Sequence, residues 1–231
     1  MSSRISNSQI DQIATKRSHG RNLDENMAAA EDVPTKANAT VASSTEDLWV
    51  FGYGSLMWRP GFEFLERVPA RLIGLHRALC VYSFVHRGTP ERPGLVLGLD
   101  RGGMCRGIAF RVAAAARQRT IAYLRAREQV TTVYLETMRR IELEDKARRR
   151  VQALCFIVDR SHVQYAGRLS LSQRVHLVRQ GHGRSGANRE YVIETVQALE
   201  ALGYRETDLH LLAARLLSTH QGEAVPVLDH E

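Results

Sequence analysis

Two short stretches combine residue types that could act on a ligand. In FGYGSLMW, residues 51–58, an apolar β-rich run is broken by Gly52 and Gly54. Without a Cβ at Gly54, consecutive N–H groups can point at one spot, and such a nest suits a carboxylate or a developing oxyanion. The same glycines suit a plain turn after a strand, so these residues alone leave both readings open. The second stretch is Arg127-Glu128, which ends a run of helix formers. A carboxylate there could carry a proton, or be half of a surface ion pair worth less than about 1 kcal/mol.

Other chemistries lose their support on inspection. Gly181, Gly183 and Gly186 spell GxGxxG before a helical pattern. A dinucleotide fingerprint needs a strand ahead of its glycines, whereas LSQRVHLVRQ at 171–180 reads as a helix. Gly181 and Gly183 are therefore read as ending one helix and Ser185 as capping the next, although the loop could also offer N–H groups to a ligand. The nine histidines form no HExxH, and neither Ser55 nor Ser185 sits in GxSxG. Cys80, Cys105 and Cys155 form no CxxC, so reduced, buried thiols are expected and neither a zinc site nor a disulfide framework.

The elements that must position these residues follow from patterning. Residues 1–46 hold no Phe, Trp or Tyr and show no sustained period, which predicts a disordered N-terminal tail. Strands are predicted from residue 48 and over 71–85, 94–99 and 107–112, where apolar and β-branched residues are punctuated by Gly and Pro. A helix is predicted over 113–128, then a long hairpin with arms 132–143 and 149–158 around EDKA. At its tip Arg148, Arg149 and Arg150 read as a solvated face. Helical spacing returns over 170–180, 188–202 and 208–219. Antiparallel strands followed by helices predict an α+β domain and not a doubly wound parallel sheet.

Composition narrows the partners. A net charge of +7 that comes almost wholly from arginine, with only Lys16, Lys36 and Lys146 as lysines, favours an anionic ligand. The arginines are scattered and aromatics make up 6%, which argues against nucleic acid. No run approaches the roughly 18 apolar residues of a membrane span, and MSSRISNSQIDQ lacks a secretory core, so a cytoplasmic location is expected.

Six ordered blocks, FGYGSLMW (51–58), HRGTPERPG (86–94), GIAFRV (107–112), LRARE (124–128), VDRSHVQYAG (158–167) and GRSGANREYV (183–192), give the chain a family likeness. It resembles the ChaC-type γ-glutamylcyclotransferases along residues 48–215. The resemblance implies a mixed β-barrel surrounded by helices, with 47–231 as one catalytic domain. It also implies cofactor-free cleavage of glutathione to 5-oxoproline and cysteinylglycine. By position, Gly52, Tyr53, Gly54, Ser55, Leu56 and Met57 correspond to the family's substrate-binding loop, and Glu128 to its catalytic glutamate. The chain departs from relatives in its long polar N-terminal segment and at Gln129-Val130, where several have a glycine and an aromatic residue nearby.

The chemistry implied suits these residues. In a γ-glutamyl compound the free α-amine lies within five-membered-ring reach of the γ-carbonyl, so the substrate supplies its own nucleophile. Glu128 is then expected to take the ammonium proton and return one to the departing amine, with the 53–56 backbone holding the anionic groups. Arg87 is the expected contact for the glycyl carboxylate, because a guanidinium binds carboxylates bidentately. Tyr134 and Tyr165 are expected to line the pocket. The expected partner is one small molecule, glutathione or another γ-glutamyl compound, with no cofactor, metal, nucleic acid or membrane. The rival readings are the same reaction on other γ-glutamyl amines or amino acids, and a non-catalytic binder of γ-glutamyl ligands.

Overall fold

The computed structural model describes residues 46–128 and 132–218, so all but the last residue of the expected tail at 1–46, and Gln129-Val130, lie outside them. Five strands form a closed barrel in the order β1 (Leu48–Gly52), β3 (Gly94–Val112), β2 (Glu66–Ser83), β4 (Tyr134–Leu143), β5 (Arg150–Val158). β1 (Leu48–Gly52) is short and apolar, with Leu48, Val50 and Phe51 fully buried. It lies antiparallel to β3 (Gly94–Val112) from Leu48 opposite Val112 to Gly52 opposite Ile108. Its other edge pairs in parallel with β5 (Arg150–Val158), Trp49 opposite Ala153, and this contact closes the barrel. Among the described residues this is the only parallel pairing, since β2 (Glu66–Ser83) runs antiparallel to β3 and to β4 (Tyr134–Leu143), and β4 antiparallel to β5. Closure leaves no exposed edge along β1, which accounts for its near-continuous apolar sequence.

The two strands predicted at 94–99 and 107–112 are one 19-residue strand. Gly102 and Gly103 do not end it; at φ +96° and +68° they form an irregularity opposite Gly74, itself at φ +88°, where the register jumps from Ile73–Met104 to Leu75–Arg101. Glycine inside a strand marks a bulge as readily as a turn, and local sequence does not tell the two apart.

Among the described residues four α-helices follow the expected order: α1 (Arg117–Glu128), α2 (Leu171–Gln180), α3 (Asn188–Glu200) and α4 (Thr207–Leu217). A capping box starts α2, in which Ser170 accepts from Gln173 N–H and the Gln173 side chain answers the Ser170 N–H. Ser185 does not cap α3. The N-cap is Ala187, and Ser185 sits in the turn of a tiny hairpin formed by β6 (His182–Gly183) and β7 (Gly186–Ala187). Helices α2 to α4 pack together, and Val178, Val192, Leu199 and Leu212 join barrel residues such as Phe51, Leu95 and Phe110 in one core. Each such large side chain contributes about 1.5–3 kcal/mol by leaving water. Cys80, Cys105 and Cys155 are free and buried, as expected.

Candidate active site

Where β1 runs out, the chain turns tightly. A Cβ on Gly52 would meet Leu56 Cβ at 3.0 Å, and one on Gly54 would lie 3.3 Å from the Tyr191 hydroxyl. A 3-10 turn over Ser55–Met57 follows, its first internal bond running from Met57 N–H to Gly54 O at 2.8 Å. The N–H groups of Ser55 and Leu56 precede that bond and, like the first donors of any helical turn, are left for an outside acceptor.

The turn is held from two sides. Beneath it the Arg77 side chain, fully buried, donates from Nε to Tyr53 O at 2.5 Å, from Nη2 to Arg106 O at 2.5 Å and toward Met57 Sδ at 3.7 Å, and pairs with Glu206. From the flank, Arg127 donates to Ser55 Oγ at 2.8 Å, Arg59 O at 2.7 Å and Tyr123 Oη at 2.9 Å. The last turn of α1 is thereby docked on the loop after β1, and Glu128 is carried with it.

Glu128 lines a cavity of about 500 Å³ together with Tyr53, Gly54, Ser55, Leu56 and Tyr134. Arg127 Nε stands 3.3 Å from Glu128 Oε1, and about a fifth of the Glu128 side chain remains exposed. Burial raises its pKa above the usual carboxylate value, and the neighbouring Arg127 charge offsets this only in part. Around it are three phenols, Tyr53 and Tyr191 buried and Tyr134 partly so. Tyr53 donates to Phe156 O at 2.9 Å and Tyr134 to Leu97 O at 2.6 Å, while Tyr191 accepts from Leu97 N–H at 3.3 Å. Burial holds all three phenols above their ordinary pKa, so they stay protonated donors. Because Tyr191 accepts from Leu97, its own proton is free to point elsewhere.

The cavity wall also carries Arg87, which is buried. Its Nη1 donates to Ala187 O at 3.0 Å, its backbone N–H to Ser83 Oγ at 2.9 Å, and its guanidinium lies 5.4 Å from the Tyr191 ring centroid. His86 and Ser185 share a 2.9 Å hydrogen bond on the same wall. Burial, aided by nearby arginines, lowers the His86 pKa and favours a neutral imidazole.

Of the residues expected from sequence, Tyr53, Gly54, Ser55, Leu56, Arg87, Glu128 and Tyr134 meet at one cavity. Gly52 and Met57 are buried behind the loop as support, the latter against Arg77. Tyr165 is elsewhere: its hydroxyl donates to Asp100 at 2.7 Å, next to Arg160, and its backbone bridges to Val81. A pocket role for Tyr165 is thus corrected to a strand-end anchor. Patterning passed over Arg77, Tyr191 and Glu194. Tyr191 and Glu194 read as helix periodicity and surface charge, and only the cavity they face distinguishes them. Among the described residues no cluster of His, Cys, Asp or Glu is placed to hold a metal.

A small closed barrel carries a cavity lined by a mostly buried carboxylate of raised pKa and by a glycine-containing loop, an arrangement suited to a small polar molecule. Residues 48–219 match the model of the ChaC-like protein family, and the chain belongs to that family. It is 34% identical over 184 residues to the glutathione-specific γ-glutamylcyclotransferase of Escherichia coli K12, covering 79% of each chain. It is 26% identical to the human glutathione-specific γ-glutamylcyclotransferase 1, over 83% of this chain and 90% of that one. A crystal structure of a yeast γ-glutamylcyclotransferase specific to glutathione shares the fold, with a TM-score of 0.69 at 21% identity over 77% of this chain and all of the other.

Proposed function

We propose that this protein is a glutathione-specific γ-glutamylcyclotransferase, which cleaves glutathione to 5-oxoproline and cysteinylglycine. Family membership and the similarity to relatives carrying that activity support the reaction. For the residues, one observation weighs most: Glu128, mostly buried and with its pKa raised, lines the same cavity as the open Ser55 and Leu56 N–H donors.

In this reading the γ-glutamyl half lies against the 53–56 backbone. Glu128 takes a proton from the α-ammonium, and the freed amine attacks the γ-carbonyl carbon. A new C–N bond closes the five-membered lactam while the carbonyl oxygen gains negative charge, which N–H donors of the loop and the Tyr191 hydroxyl are placed to stabilise. Glu128 hands its proton to the cysteinyl nitrogen as the bond to that nitrogen breaks, then takes the second proton that the ring nitrogen must lose to become the lactam N–H and passes it to the freed amine, which leaves as an ammonium. The protonation balance is closed by one residue, so no cofactor or metal is called for. Arg87 faces the departing cysteinylglycine and is assigned its carboxylate. The free, buried cysteines fit the reducing cytoplasm as its location. The direct test is to incubate the purified protein with glutathione and follow 5-oxoproline and cysteinylglycine by mass; equimolar appearance of both is expected, and unchanged glutathione would sink the proposal.

A further inference from the structure

The loop after β1 is gripped at both ends by one side chain that lies outside the cavity lining. Arg77, on β2, donates from Nε to Tyr53 O at 2.5 Å where the loop begins, and its Nη2 reaches Met57 Sδ at 3.7 Å where the loop ends. The same Nη2 donates to Arg106 O of β3 at 2.5 Å, which ties the grip to the barrel. A trans peptide points its C=O and the next N–H to opposite sides, so holding Tyr53 O toward Arg77 turns the Gly54 N–H the other way. Tyr53 and Gly54 line the cavity, and Arg77 does not.

The remaining arm of the guanidinium, Nη1, pairs with Glu206, the N-cap residue of α4. An N-cap side chain ordinarily accepts from the first N–H groups of its own helix, and Ser, Thr, Asp or Asn does this best. Glu206 makes no such bond, its carboxylate being turned to Arg77 instead. Tyr204 seats this connection on the barrel, donating to Glu144 at 2.6 Å with its ring centroid 5.1 Å from the Arg106 guanidinium. The Arg77 side chain has no exposed surface, so removing the Glu206 carboxylate would leave a buried charge uncompensated.

We propose that Arg77 and Glu206 are positioning residues for the reaction: the carboxylate at the start of α4 fixes the guanidinium, and the guanidinium fixes the peptide planes of the 53–57 loop that faces the substrate. Neither touches the substrate. Among the described residues none of α4 lines the cavity, yet its first carboxylate sets where the loop donors point. A lysine could not replace Arg77, because one ammonium lacks the fork that serves Tyr53, Arg106 and Glu206 together. The inference rests on the γ-glutamyl reading for the reaction that reports it.

The test uses Glu206→Ala, Glu206→Gln and Arg77→Lys, each assayed well below its melting temperature. Glu206→Ala and Arg77→Lys are expected to lower kcat/KM for glutathione by about 10-fold or more through misdirected donors. Glu206→Gln keeps an oxygen for Arg77 Nη1 and should stay within about threefold of wild type. The second readout is amide hydrogen exchange at Met57, whose N–H closes the turn on Gly54 O at 2.8 Å. In Glu206→Ala it should quicken by about 10-fold or more while the amides of β3 keep wild-type rates. A merely structural pair would lower the melting temperature and speed exchange throughout, with kcat/KM of the folded enzyme unchanged. Wild-type kcat/KM in Glu206→Ala, or Met57 exchange no faster than in wild type, overturns the proposal, as does a glutamine variant as impaired as the alanine one. Should Arg77→Lys fail to fold, the two variants of the partly exposed Glu206 carry the comparison. If wild type does not turn over glutathione, the γ-glutamyl reading fails separately, and Met57 exchange alone decides whether the pair positions the loop.

Discussion

Glu128 illustrates how one side chain can be poor for stability and good for chemistry. Its folded-state pKa is raised, chiefly by burial, so the fold favours the neutral acid. The sign follows by linkage: the penalty for ionisation is absent below the unfolded-state pKa of about 4.3, grows as pH rises through the folded-state pKa, and persists above it. Glu128→Gln removes an ionisable group while keeping size and shape. At pH 8 this variant is expected to melt at or above the wild-type temperature, and its advantage should shrink toward pH 4. A melting point several degrees below wild type at pH 8 would show that ionised Glu128 is held by favourable partners instead. For the same reason kcat/KM for glutathione should fall on the acid side as pH drops through the raised pKa, since the base must be ionised to accept a proton.

At the scale of elements, the junction between α1 and the loop after β1 decides whether the base and the N–H donors face one another. Arg127 makes that junction through Ser55, Arg59 and Tyr123. Arg127→Met, which keeps the stem but not the donors, should therefore lower kcat by about 10-fold or more through misplacement of Glu128. Ser55→Ala, losing one bond of the set, should cost less. Equal, near-wild-type kcat for both would mean that packing alone seats α1. Much of this architecture was legible beforehand: the helices over 171–180 and 188–200 announce themselves by period, and the 134–158 hairpin by its turn. The fusion of two expected strands into β3 was not, because Gly102-Gly103 reads as a turn unless Gly74 opposite is known. The loop glycines and Glu128 stand out by residue type alone, but only the family likeness decides between their structural and functional readings. Arg77, Tyr191 and Glu194 were not reached at all, since each meets the site across sequence separations that no local pattern spans.

Over the whole molecule, the described residues that line the cavity all lie between Tyr53 and Glu194, on the barrel, its loops and the helices. Asp47 ties the start of the barrel down, accepting from Arg111 at 3.1 Å and from Ala114 N–H at 3.0 Å. A chain beginning at Thr45 is expected to match the full chain in melting temperature and in 5-oxoproline production. A loss of several degrees, or of most of the activity, would show that the N-terminal segment docks on the domain or completes the site.

The proton-carrying role of Glu128 is the claim on which the rest depends, and a paired measurement on Glu128→Gln tests it most directly. The substrate ammonium, with a pKa near 8, cannot attack until a base accepts its proton, and glutamine cannot be that base. Circular dichroism and glutathione binding should stay close to wild type, while 5-oxoproline formation falls by about 10² or more, the usual scale for a general acid-base group. A variant that folds, binds glutathione and still turns it over within a few-fold of wild type would contradict the assignment of Glu128.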